Sequence, residues 1–117
     1  MTRHDDGVRL RHMLDHGKEA VDMLRGRERR DFDSDRMLGL SIVRLLEIVG
    51  EAAARTTPET RRALVDLPWT EIAGLRNRVI HGYDDVDYDI VWETVTSDLP
   101  PMIEALERHL ASLGADS

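Results

Sequence analysis

Apolar residues recur at three- and four-residue steps through most of the chain, which places them on one face of a helix. Nowhere does a run alternate apolar and polar residues as a half-buried strand would, so the pattern predicts an all-α fold. Leu10, Met13, Leu14, Gly17, Val21 and Leu24 form one stripe on a helix from about residue 6 to 26. It runs out in RGRERR, where Arg25, Arg27, Arg29 and Arg30 suit the negative end of a helix dipole as a solvated helix end. Asp33 is the expected N-cap of a second helix, with Phe32 before it and Met37 after it as a hydrophobic staple. Its stripe is Leu38, Ile42, Leu45, Leu46, Val49 and Ala53, widened by Met37, Leu40, Val43 and Ile48. Thr57-Pro58 opens a short helix, because proline fits the first helical position, and Leu67-Pro68-Trp69 repeats the signal. The helix begun there runs from Pro68 to about Ile80, with Ile72, Leu75 and Val79 inward and Gly82 as its left-handed stop. Asp87 then caps a last helix carrying Ile90, Val91, Val95, Leu99, Ile103, Leu106, Leu110 and Leu113, interrupted or kinked by Pro100 and Pro101. The expectation is a bundle of four to five helices, the last kinked at the Pro-Pro pair.

Length and composition narrow the chemistry. At 117 residues one domain spanning 1–117 is expected, with a modest core. With no cysteine there is no disulfide framework, thiolate metal site or cysteine nucleophile. The opening MTRHDDGVRLRH is too charged for a signal peptide, and no apolar run approaches a membrane span, so a soluble cytoplasmic protein is expected. The net charge of −7 is unevenly spread: residues 1–30 carry +2, residues 31–75 carry −3 and residues 76–117 carry −6. That balance argues against non-specific nucleic-acid binding while leaving room for a local basic cleft.

Arg76, Asn77, Arg78, His81 and Tyr83 form the densest cluster of chemically capable side chains. Histidine exchanges protons near neutral pH, arginine holds phosphate or stabilises developing negative charge, and asparagine orients either. Together they suffice for metal-free RNA cleavage, in which a base deprotonates a ribose 2′-hydroxyl, that oxygen attacks the adjacent phosphate, and an acid protonates the leaving 5′-oxygen. The same composition also suits a helix C-terminus that needs only dipole stabilisation.

On a continuous helix Arg76 and His81 lie roughly 140° apart, so they do not share a face. Asn77 and Arg78 are the expected surface neighbours of His81. For Arg76 and His81 to meet at one phosphate, the arginine must reach around, the helix end must unwind, or a second copy must face the first; a symmetric dimer would bring two clusters together. His4, His12 and His16 sit in the first helix region, where the four-residue step from His12 to His16 has metal-ligand spacing without the adjacent Glu of a zincin helix. His109 reads as a solvated side chain, and no metal site is expected. Asp84, Asp85, Asp87, Asp89, Glu93 and Asp98 cap and solvate the last helix, with Mg²⁺ coordination, RNA repulsion or a basic partner as other uses. Trp69 and Trp92 read as core or interface anchors.

The segment RNRVIHGY resembles the HEPN superfamily, and within it the HepT-like toxins of bacterial and archaeal toxin–antitoxin pairs. The family motif R-(x)4-H-x-Y, usually with a polar residue after the arginine, is matched by Arg76, Asn77, His81 and Tyr83. EIVGEAAAR and LPWTEIAGLRNRVIHGYDDVDYDIVWETVTSDLPP are similar to the family's C-terminal half, so the resemblance covers roughly residues 38 to 110. It implies a HEPN helical bundle and a homodimer whose two motifs line a shared cleft. It also implies metal-independent ribonuclease activity with no cofactor, Arg76 and His81 being catalytic and Asn77, with Arg78 beside it, supporting. The implied substrate is RNA such as tRNA or mRNA, and no membrane is involved. The partner it implies is an MntA-like nucleotidyltransferase antitoxin that transfers AMP from ATP to the motif tyrosine, here Tyr83. Two other readings compete: a non-catalytic helical adaptor for such a nucleotidyltransferase, and a nucleotide-binding regulatory domain.

Overall fold

The computed structural model describes residues 3–115, with side chains described from residue 5 to 113. The side chain of His4 lies outside the described residues. Helix α1 (Arg3–Leu24) and helix α3 (Arg36–Arg55) pack against each other, joined by a connection that contains the single turn α2 (Asp31–Ser34). Most of the predicted stripe positions are the packing faces, since Leu10, Met13, Ile42, Leu46 and Val49 are all fully buried, whereas Leu40 and Leu113, also expected inward, are about half exposed. Val79, Val91, Val95 and Leu106, from the second half of the chain, close the core over them. Among the described residues the fold is all-α apart from one pair of two-residue strands.

The connection before α3 departs from its predicted form. Asp35, not Asp33, caps α3 by accepting the Leu38 N–H at 3.0 Å. Met37 is 79% exposed, so no staple forms. Phe32 is buried instead against aromatic rings far along the chain, stacked on Tyr88 at 4.9 Å and edge-on to Trp92 at 6.3 Å. The arginine run is more than a solvated helix end: Arg29 Nε donates to Asp89 at 2.6 Å and Arg27 lies 3.6 Å from Asp35. Hydrogen bonding to Asp89 raises the Arg29 pKa and fastens this connection to the last helical arm.

Thr57 caps α4 (Pro58–Ala63) as its sequence predicts. The next predicted helix is broken into α5 (Trp69–Ala73) and α6 (Leu75–Val79) at Gly74. Trp69 is an anchor here: its indole N–H donates to the Leu64 carbonyl at 3.0 Å and the Arg61 guanidinium lies 5.6 Å from its ring centre. Gly50 of α3 is what lets α5 approach, because a Cβ there would lie 3.1 Å from the Ile72 carbonyl oxygen. After α6 the backbone leaves the helix, and β1 (Ile80–His81) pairs antiparallel with β2 (Asp85–Val86). Gly82, with φ +77°, turns this small hairpin rather than ending a helix.

Asp87 caps α7 (Tyr88–Glu93) as expected, accepting the Ile90 N–H at 3.1 Å. A π-helical turn (Thr94–Asp98) then leads into α8 (Leu99–Ala115). The break announced by Pro100 and Pro101 therefore falls just upstream, as a widened turn that accommodates two residues unable to donate a backbone N–H. Helix α8 returns along α1, where Gly17 admits Met102 and Ile103 and Lys18 meets Glu107 at 3.5 Å. His109 on α8 is partly buried. Among the described residues no helix is long and apolar enough to cross a membrane.

A buried carboxylate locks the start of α1 to the start of α4. Asp6, 2% exposed, accepts the Thr57 N–H at 3.2 Å, the Thr57 hydroxyl at 2.5 Å and the Thr60 hydroxyl at 2.6 Å, with Arg9 at 3.8 Å. Burial pushes its pKa up, but the hydrogen bonds from Thr57 and Thr60 and the Arg9 charge together outweigh that and leave it below the ordinary carboxylate value. A depressed folded-state pKa stabilises the fold above the ordinary value and ceases to do so as pH falls through the depressed one. Asp6→Ala is expected to cost about 2–4 kcal/mol at neutral pH in chemical denaturation. The stability gap between wild type and Asp6→Asn should narrow as pH drops below roughly 4; a gap that widened instead would contradict this account of Asp6.

Candidate active site

Residues 76–83 divide between two kinds of backbone, and that division sets the geometry of the site. Leu75 and Val79 are buried against the core, which orients α6 and leaves Arg76 and Asn77 exposed. Arg76 lines a cleft of about 570 Å³ between α1, α3 and the α5–α6 junction. Arg78, two residues and roughly 200° further round the helix, faces the other way. It lines a cavity of about 450 Å³ against the π-helical turn and α8, and lies 3.8 Å from Asp98.

His81 is not on the helix. The expectation that RNRVIH forms the last helical turns fails after Val79, because the Val79 carbonyl accepts the Asp87 N–H at 2.8 Å and Ile80 pairs with Val86. Asn77 and Arg78 are therefore not placed beside His81 by helical spacing; its described polar neighbour is Asp87, whose Oδ2 lies 3.9 Å from His81 Nε2. Of the three routes by which Arg76 and His81 could meet, unwinding of the helix end is the one the backbone shows. The walls of the Arg76 cleft nevertheless do not include His81. Tyr83 stands at the tip of the hairpin, fully exposed, beside exposed Asp84 and Asp85.

Chemically, the hairpin offers an accessible imidazole with the Asp87 carboxylate 3.9 Å away. The cleft offers an arginine for phosphate, and the hairpin tip an unhindered phenol. Asp87 caps α7 through Oδ1, as expected, while its Oδ2 faces His81.

The cleft brings Arg76 together with Arg9, Arg44 and Arg55, none of which the sequence analysis singled out. A signal was present, since Arg44, Glu47, Glu51 and Arg55 repeat at three- and four-residue steps opposite the apolar stripe of α3. His12 also lines this cleft, and its carbonyl oxygen lies 2.8 Å from His16 Nδ1, so the pair's ring spacing reflects a local contact. Among the described residues, no three histidine or carboxylate side chains are gathered as a metal site.

The family model for HepT-like ribonucleases matches residues 13–109 of the chain. A proposed RNase of Caldanaerobacter subterraneus subsp. tengcongensis is 38% identical over 101 residues, covering 86% of this chain and 90% of that protein. One from Methanocaldococcus jannaschii, also named as an RNase, is 29% identical over 107 residues, covering 92% of this chain and 98% of its own. A proposed ribonuclease HepT of Thermococcus cleftensis is 35% identical over 78 residues, or 67% of this chain and 71% of that protein. No solved structure matches the chain significantly. By the family match over most of its length and by these relatives, the chain belongs to the HepT-like ribonuclease family.

Proposed function

We propose that this ribonuclease is the metal-independent toxin of a toxin–antitoxin pair, forming one domain that acts as a homodimer. The observation that carries the reading is the exposure of all three motif positions on one short segment: Arg76 on a cleft, His81 on a hairpin beside Asp87, and Tyr83 at its tip. In the reaction, one His81 removes the proton from a ribose 2′-hydroxyl. The 2′-oxygen attacks phosphorus, the P–O bond to the 5′-oxygen breaks, and that oxygen takes a proton from solvent. The products are a 2′,3′-cyclic phosphate and a free 5′-hydroxyl. Arg76 holds the non-bridging oxygens as charge builds on them, and Asn77 and Arg78 support the bound strand. That His81 does not line the cleft holding Arg76 supports a site assembled from two protomers.

Neutralisation follows from the position of Tyr83. A nucleotidyltransferase of the MntA kind would activate the phenol, whose oxygen attacks the α-phosphate of ATP; the O–P bond forms and pyrophosphate leaves. The AMP phosphate then sits two residues from His81, where it repels the RNA backbone electrostatically.

Purified protein in EDTA is expected to cut tRNA, and folded His81→Ala and Arg76→Ala should each lose at least about a hundredfold, the scale of a lost general acid or phosphate ligand. Absence of cleavage of any RNA class by folded, unmodified wild type would leave the adaptor reading in place. Tyr83→Phe should retain cleavage and resist inactivation by nucleotidyltransferase with ATP, followed as loss of AMP incorporation. Full neutralisation of Tyr83→Phe would mean that binding alone suffices.

A further inference from the structure

We infer that the α1–α3 cleft is a track for the RNA strand, leading it to Arg76 and gripping phosphates away from the one being cut. This rests on the ribonuclease reading of the neighbouring motif. Arg44 and Arg55 are eleven residues apart on α3, so they share a face and stand about 16 Å apart along the axis, room for a few nucleotides. Arg9 joins them from α1, and Arg76 stands at the α6 wall of the same cleft. The lining holds four arginines against the carboxylates of Asp5, Glu47 and Glu51 in a chain whose net charge is −7, so cationic groups are concentrated here.

The ion pairs in the cleft are of the kind a phosphate can displace. Arg44 lies 3.9 Å from Glu47, and Arg55 lies 3.2 Å from Glu51; in both pairs the arginine is well over half exposed, where such pairs are worth little. Arg9 is held differently. Its Nη1 is buried without a hydrogen-bond partner, because the oxygens of Asp6 are taken by Thr57 and Thr60. Ile48, on the same wall, supplies apolar surface for a base or ribose. Arginine suits this task, since its planar fork meets two phosphate oxygens at once. Carboxylates set among the arginines weaken the grip, which favours release after cleavage.

The test compares a long single-stranded RNA with a dinucleoside phosphate as substrates for the full chain. Binding of the strand to His81→Ala protein is measured in parallel by fluorescence anisotropy. In the folded double variant Arg44→Gln/Arg55→Gln, KM for the strand should rise about tenfold and the strand should lose its advantage over the dinucleoside. The dependence of log K on log salt should become shallower by about 1.4, from two lost contacts at roughly 0.7 each for a single strand. Glu47→Gln/Glu51→Gln should change binding in the opposite sense and tighten it, an outcome that misfolding does not produce. Unaltered strand affinity and salt slope in both doubles, with wild type active, would overturn the track and leave the ribonuclease intact. Binding that responds to these variants without any cleavage would keep the track and reject the catalytic reading. Complete competition by ATP, at an affinity equal to that of the strand, would assign the cleft to free nucleotide and overturn the inference.

Discussion

The absence of a side chain at position 50 is the constraint on which the candidate site depends. Helices α1 and α3 make a core that is stable by apolar burial, but that packing alone says nothing about where the motif goes. The motif is placed because α5 can press its Ile72 carbonyl onto α3 at Gly50, where a Cβ would lie 3.1 Å from that oxygen and the backbone would have to give by a few tenths of an ångström. Leu75, immediately beyond, then buries against the same helix and turns α6 so that Arg76 emerges over the cleft. Gly50 and Ala52 from α3 and Ala73 from α5 line that cleft, so the same small residues that permit close packing also leave its volume open.

A second constraint acts from the other side. The hairpin is too short to stand alone, and it is held between two elements with their own anchors: buried Val79 behind it and the Asp87 cap ahead of it. Asp87 thereby ties the start of α7 to the position of His81, and Arg29 ties α7 back to the connection before α3. His81 is consequently exposed yet sits on a tethered segment, which is what a proton-transferring group requires.

Local signals in the sequence were sufficient wherever the physics was local. The apolar stripes of α1 and α3 and the caps at Thr57 and Asp87 all appear where side-chain spacing and capping chemistry put them. Legibility ended where a distant partner decided the outcome. Asp33 is the cap expected from the sequence, and Asp35 takes that place in a connection where Phe32 packs on Tyr88 and Trp92. The helical period runs unbroken through Val79 and Ile80, yet pairing with Val86 pulls the backbone into a strand there. Arg9, Arg44 and Arg55 look like ordinary surface charges until two helices are laid side by side. Arg76, His81 and Tyr83 were found by motif, while their disposition about a helix end and a hairpin came only with the fold.

The central claim is that catalysis joins Arg76 of one protomer to His81 of the partner subunit. Subunit exchange tests it most directly, by mixing inactive Arg76→Ala and His81→Ala proteins and measuring RNA cleavage once mixed dimers are shown to have formed. Half of the dimers are then mixed and each has one intact composite site, so about a quarter of wild-type activity should return. Mixed dimers as inert as their parents would contradict the claim and assign both residues to a site within a single chain.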